Sequence, residues 1–167
     1  METVYNFING KQVPSRGTKA HPIYNPATGE QIRQVIMSTP DDVNEAVEVA
    51  HKAFADWSAT SPLRRARIMF KFKELLERDW DSLARLIVEE HGKVYSDACG
   101  ELTRGLEVVE FSCGIPHLLK GEFSEQAGRG IDIHSSLQPL GVTVGITPFN
   151  FPAMVPMWMF PIALACG

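Results

Sequence analysis

The stretch Gly141-Val142-Thr143-Val144-Gly145-Ile146-Thr147-Pro148-Phe149-Asn150-Phe151-Pro152 decides how this chain folds. Its first six residues are β-branched or glycine, the pattern of a central strand buried on both faces. The next six, with two prolines, form a turn, and the uncharged run from Phe151 to Gly167 predicts a buried helix behind it. Strand, turn and helix in that order make the first half of a dinucleotide-binding unit and place the chain in the α/β class. Ligands of open α/β sheets bind beyond the carboxyl ends of the strands, so this turn faces the crevice. Asn150, between two aromatic residues, then has two roles open to it. It presents an amide donor to an oxyanion developing on a carbonyl, or it caps the following helix.

The uncharged run also has to be weighed as a membrane span. It is shorter than the roughly 20 residues a span needs, and Pro152, Pro156 and Pro161 interrupt it. A buried helix with a proline-rich entry is the better reading. The sequence stops at Gly167, directly after its most apolar segment, and this predicts that the chain is the amino-terminal portion of a longer protein.

Upstream, the pattern changes twice. Phe7, Ile8 and Val13 flank Asn9-Gly10, a strong short hairpin signal because both residues tolerate positive φ. His21 to Tyr24 and Gln31 to Met37 are expected to pair across the turn Asn25-Pro26-Ala27-Thr28-Gly29. Helices follow. Thr39-Pro40-Asp41-Asp42 supplies a cap, a proline for the first helical position and acids for the positive helix end, with Val43, Ala46, Val47, Ala50 and Phe54 along one face. Ser61-Pro62 repeats the start before Leu63, Ala66, Phe70, Leu75 and Leu76. A third helix is predicted from about Asp79 to His91 with Gly92 as C-cap, and a fourth from near Ser96 to Cys113. Gly100 and Gly105 within the fourth cost helix propensity and imply close packing against another element. From Gly121 the composition turns polar, and Ile131, Ile133, Ser135 and Leu137 alternate as an exposed strand would. These shifts divide the chain into a hairpin-and-helix part (1–122), a linker with a strand at about 130 to 139 (123–140), and the strand-turn-helix unit (141–167).

Composition removes several function classes. With 44% hydrophobic and 22% charged residues, the 167-residue chain can bury a sizeable core. Its net charge of -4, without basic clusters, offers no footprint for nucleic acid or an anionic membrane. The opening METVYNFING lacks the features of a secretory signal, so the cytoplasm is the expected location. Three cysteines, Cys99, Cys113 and Cys166, lack CxxC spacing and read as reduced structural thiols. The five histidines show no spacing for a metal site.

The segment TPFNFP, with its continuation MVPMWMFPIALACG, resembles the Pro-(Trp/Phe)-Asn-Phe-Pro motif of the aldehyde dehydrogenase superfamily. The continuation is most similar to the CoA-acylating methylmalonate semialdehyde dehydrogenase branch. FINGK, YNPATGE, EEHGK and RGLEVVEF agree in order, so the resemblance covers essentially the whole chain. It implies an aldehyde dehydrogenase-like fold, here the amino-terminal part of the NAD-binding domain with an oligomerisation strand, in a homo-oligomeric enzyme. It also implies Asn150 as the oxyanion-hole amide, Thr147 and Phe149 along the cofactor near its nicotinamide ribose, and Arg104 as a holder of the substrate carboxylate. A guanidinium grips a carboxylate through two parallel hydrogen bonds, although the spacing of Arg104 equally allows ion pairs with Glu101 or Glu107 along the helix.

The implied reaction is oxidation of methylmalonate or malonate semialdehyde by NAD, transfer of the acyl group to coenzyme A and release of carbon dioxide. This family binds NAD without a GxGxxG fingerprint. Its cysteine nucleophile lies downstream of the motif, so the 167 residues alone are expected to be inactive, and Cys166 does not match the nucleophile motif. Two alternatives stay open: an aldehyde dehydrogenase that hydrolyses its thioester, and a noncatalytic interaction module.

Overall fold

A computed structural model describes residues 2–167. Short strands open the chain: β1 (Glu2–Val4), β2 (Asn6–Ile8), β3 (Lys11–Val13), β4 (Ala20–Tyr24) and β5 (Gln31–Ile36). Asn9 and Gly10 both take positive φ, 53° and 71°, and so turn β2 into β3 with Phe7 opposite Gln12. β4 and β5 pair antiparallel across the Asn25–Gly29 turn. β1 adds to β5 in parallel, with Glu2 beside Arg33, a pairing that the sequence does not announce. Arg33 also reaches Glu90 at 2.8 Å and thereby ties this sheet to the helices.

The helices are α1 (Pro40–Ala59), α2 (Pro62–Arg78), α3 (Trp80–His91), α4 (Tyr95–Cys113), the single turn α5 (Ile115–Leu118) and α6 (Met154–Cys166). Thr39 and Asp42 form a reciprocal capping box at the start of α1, as the local sequence predicts. Asp42 does more: Ser15 Oγ at 3.0 Å and the Arg16 amide at 3.1 Å donate to it, fastening the 15–16 loop to the helix. Gly92 ends α3 in the left-handed conformation, with φ of 82°.

The core lies around α4, against which α2, α3 and α6 pack. Ala84, Ile87, Ala98, Leu102, Val109 and Met157 form its main cluster, and Met69, Cys113, Ile115 and Ala165 form a second. Gly105 is buried against Met157, whose own Cβ would lie 3.3 Å from an added Cβ with its sulfur and methyl closer still, so this glycine suits the close approach of α4 and α6. Gly100 has no such reason, since only the Arg104 guanidinium comes within 4.0 Å. In α2 the buried face is Arg65, Ala66 and Met69, while Leu63 and Phe70 point outward, against the expected face.

Helix α6 carries no charge of its own, yet charges from two other helices meet its ends. Glu101 of α4 accepts from the Ala153 and Met154 amides at the positive end. Buried Arg65 of α2 donates to the carbonyls of Ala165 at 3.0 Å and Cys166 at 3.1 Å at the negative end, and to that of Thr60. Both placements match the helix dipole. No helix among the described residues is long and apolar enough to cross a membrane.

Two strand expectations need correction. The segment 123–140 is not a linker followed by one strand: β6 (Phe123–Gly128) pairs antiparallel with β7 (Ile131–His134) as a hairpin that turns at Gly130. Asp132 accepts from the Gln126 amide across an irregular register, so the polar residues of 123–128 are strand residues. The predicted central strand at 141–146 carries no strand pairing, and Val144 and Ile146 are 78% and 87% exposed. A parallel strand takes its hydrogen bonds from lateral neighbours, and no described strand pairs with it.

Candidate active site

The turn at 147–153 is built by its surroundings. Proline at 148 and 152 restricts the backbone, and the first turn of α6 leaves amide N–H groups that need acceptors. Ala153 occupies the N-cap without a side-chain capping bond. The acceptor comes instead from α4: Glu101 Oε1 takes the Ala153 amide at 2.7 Å and the Met154 amide at 3.0 Å. Asn150 therefore does not cap the helix, and its side chain is exposed.

The other oxygen of Glu101 accepts from Lys93 Nζ at 2.6 Å. Lys93, two residues beyond α3, also donates to the carbonyl of Asn150 at 2.9 Å and sits 4.5 Å from the centroid of the Phe151 ring. The Glu101 side chain is fully buried and that of Lys93 nearly so, at 9% exposure. Burial alone pushes the Glu101 carboxyl up, but the Lys93 ammonium and the two amides outweigh it and hold the group below its ordinary value. It is ionised at neutral pH, paired and saturated with donors, which is what a buried charge requires.

Arg104, one turn further along α4, places its guanidinium 5.7 Å from the Phe151 centroid on an exposed face. Neither Glu101 nor Glu107 pairs with it; Glu101 is taken by Lys93. Trp158 of α6 donates to the Arg104 carbonyl at 3.2 Å and fixes the backbone there. Arg104 thus lies against Phe151, the residue after the exposed Asn150, and its guanidinium has no carboxylate partner among the described residues. Thr147 is half-buried and Phe149 is 91% exposed; they share the turn with Asn150, and the structure brings no other element against Phe149.

The cysteines stand apart from this surface. Cys113 packs in the second core cluster and donates to the Val109 carbonyl, and burial pushes its thiol up. Cys99 packs against the main cluster and Cys166 against the second.

Lys93 and Glu101 are site residues that sequence reasoning missed. The signal existed: Glu101 falls on the face of α4 that also carries Ala98, Leu102, Gly105 and Val109, and a carboxylate on an apolar stripe demands a buried partner.

Residues 13–167 match the aldehyde dehydrogenase family. Over its full length the chain is 48% identical to a malonate-semialdehyde dehydrogenase of Pseudomonas aeruginosa, and over 99% of it 51% identical to malonate-semialdehyde dehydrogenase 2 of Bacillus anthracis. Among solved structures, a methylmalonate-semialdehyde dehydrogenase from Oceanimonas doudoroffii superposes on the entire chain with a TM-score of 0.97 at 53% identity. A structure described as a putative methylmalonate-semialdehyde dehydrogenase from Sinorhizobium meliloti, complexed with NAD, does so with a TM-score of 0.97 at 50% identity. The chain spans about a third of each: 33% and 34% of the two curated relatives and 34% of both structures. The likeness thus runs from the amino-terminal sheet through the Asn150 turn to α6, and on it the chain belongs to the aldehyde dehydrogenase family.

Proposed function

We propose that these residues form the amino-terminal part of an enzyme that oxidises malonate or methylmalonate semialdehyde with NAD and passes the acyl group to coenzyme A. The products are acetyl-CoA or propionyl-CoA and carbon dioxide. One observation supports this reading: Arg104, whose guanidinium has no carboxylate partner among the described residues, lies against Phe151, the residue after Asn150. A substrate with an aldehyde at one end and a carboxylate at the other calls for a donor amide and a cation, the roles this reading gives to Asn150 and Arg104. The relatives named for such semialdehydes support the same substrate class.

In this mechanism a cysteine thiolate supplied from beyond these residues attacks the aldehyde carbon, and the Asn150 amide donates to the oxygen as negative charge develops there. Arg104 fixes the carboxylate and so orients the carbonyl toward the thiol. NAD, when bound, supplies the hydride acceptor that turns the hemithioacetal into a thioester. Thr147 and Phe149 suit contact with its nicotinamide ribose, because the 147–149 stretch is open and leads directly to Asn150. The thioester carbonyl then accepts the electron pair of the bond to the carboxylate as carbon dioxide leaves, the α-carbon takes up a proton, and the thiol of coenzyme A displaces the enzyme cysteine as thiolate. We place the enzyme in the cytoplasm as a homo-oligomer, with the projecting β6–β7 hairpin at a subunit contact.

The test is NADH formation from malonate semialdehyde by the complete enzyme, with and without coenzyme A. Turnover that depends on coenzyme A and yields acetyl-CoA is the expected outcome. Equal turnover without it, yielding a free acid, makes the enzyme a hydrolytic aldehyde dehydrogenase and refutes the acylating step.

A further inference from the structure

We propose that Lys93 and Glu101 are positioning residues that clamp the Asn150 turn at Asn150 itself and at the start of α6, fixing where the Asn150 amide points. The inference rests on the role given to Asn150 above. Glu101 holds the start of α6 through the Ala153 and Met154 amides, downstream of Asn150. Lys93 bridges the second carboxylate oxygen to the carbonyl of Asn150 itself. Lys93 therefore restrains the peptide unit at Asn150, and Glu101 restrains the chain three and four residues later. The Phe151 ring lies between these two restraints in sequence, with the Lys93 ammonium over it.

Geometry makes this more than a buried ion pair. All four bonds are charge-assisted, and three of them end on main-chain atoms of the 150–154 stretch. An oxyanion donor works only if it is already aimed when charge develops, because reorientation at that moment costs the stabilisation it should provide. The Asn150 carboxamide is exposed, so its direction has to come from the backbone beneath it. Lys93 and Glu101 are the charged side chains that grip that backbone, and they stand on α4 and on the connection from α3, both anchored in the main core.

Amide hydrogen exchange and steady-state kinetics together test the clamp. In Glu101→Gln and Lys93→Met, exchange at Ala153 and Met154 should quicken by about 10- to 100-fold, the loss of one charged hydrogen bond, while Val109 in the core stays protected and reports an intact fold. In the complete enzyme the same substitutions should lower kcat by a similar factor with the KM for NAD little changed, and Lys93→Arg should restore part of both. Unchanged exchange at Ala153 and Met154 in both variants overturns the clamp. So does faster exchange with kcat intact, which would show that the turn loosens without consequence for the chemistry. Should Glu101→Gln fail to fold, the Lys93→Met and Lys93→Arg pair decides the same question. A wild-type enzyme that oxidises no semialdehyde refutes the reaction proposed above, and the exchange rates still decide whether the clamp holds the turn.

Discussion

The chain on the two sides of Asn150 is held in opposite ways. Before it, the stretch from Leu140 to Phe149 carries no strand pairing, and Leu140, Val144, Ile146 and Phe149 are exposed by 78% or more. After it, α6 is gripped at its first turn by Glu101 and at its last by Arg65, with Met154, Met157, Pro161 and Ala165 buried between. A helix satisfies its backbone internally except at its ends, so two side chains from neighbouring helices complete it. A parallel strand has no partners of its own; its N–H and C=O groups need other strands. The oxyanion donor in the proposed reaction thus sits on the half of the turn that this chain fixes by itself, and the cofactor contacts sit on the half that it does not.

Removing the grip on α6 should give the largest effects. Glu101→Ala would leave the Lys93 ammonium buried without a counter-charge and two helix amides without acceptors. Breaking a buried pair in this way costs about 3 to 5 kcal/mol, readable as a lower midpoint in urea denaturation. Arg65→Met at the other end should cost less, about 1.5 to 3 kcal/mol, because the partners it abandons are neutral carbonyls and its methylene stem is largely replaced. If Arg65→Met proved the more damaging, the negative end of α6 and not the turn would be its main anchor.

How much of this is legible in the sequence depends on the range over which each signal acts. Thr39-Pro40-Asp41-Asp42 and Asn9-Gly10 spell out a cap and a turn from neighbours in sequence, and both are built as read. The inward face of α3 is also readable, since Ile87 lies buried with Trp80, Leu83 and Val88 packed at its side. The face of α2 is not. Its apolar Leu63 and Phe70 point outward while Arg65 turns in to reach carbonyls 100 residues away. The addition of β1 to β5 and the pairing of β6 with β7 rest on partners that local pattern does not name. At the site, a motif and a resemblance point to Asn150 and Arg104. Glu101, on the apolar stripe of α4, signals that it needs a buried partner, but local pattern does not name that partner as Lys93 or as the Ala153 and Met154 amides, 52 and 53 residues on.

Local anchoring of the same kind, with smaller consequences, can be tested at α1. Thr39→Ala removes the capping hydroxyl and should cost about 1 kcal/mol. The Thr39 amide, which donates to Asp42 at 2.7 Å, is the main reason that the Asp42 carboxyl is lowered from 3.8 to about 2, and it survives this substitution. The folded state therefore binds fewer protons at Asp42 than the unfolded chain. Its contribution is complete above pH 3.8 and is lost as pH falls through about 2. Thermal melts of the native chain and Asp42→Asn should differ by a constant amount at neutral pH and converge in strong acid. Convergence already at about pH 5, above the ordinary carboxylate range, would place the lowered carboxylate elsewhere.

The smallest effect should come from the exposed side of the comparison. Ile146→Ser changes a β-branched apolar residue that lies two positions beyond Val144 and is 87% exposed. A side chain that has left so little of its surface in contact with other groups has little burial to lose, so the expected change in the stability of the 167-residue chain is within about 0.5 kcal/mol. Set beside Glu101→Ala, this substitution separates what the chain holds from what it merely carries. A loss of about 2 kcal/mol or more at Ile146 would match the roughly 1.5 to 3 kcal/mol that full burial of an aliphatic side chain contributes, and would mean that residues 141–146 are packed in solution. In that case the central strand read from Gly141 to Ile146 forms within these residues after all, and the contrast between the two sides of Asn150 disappears.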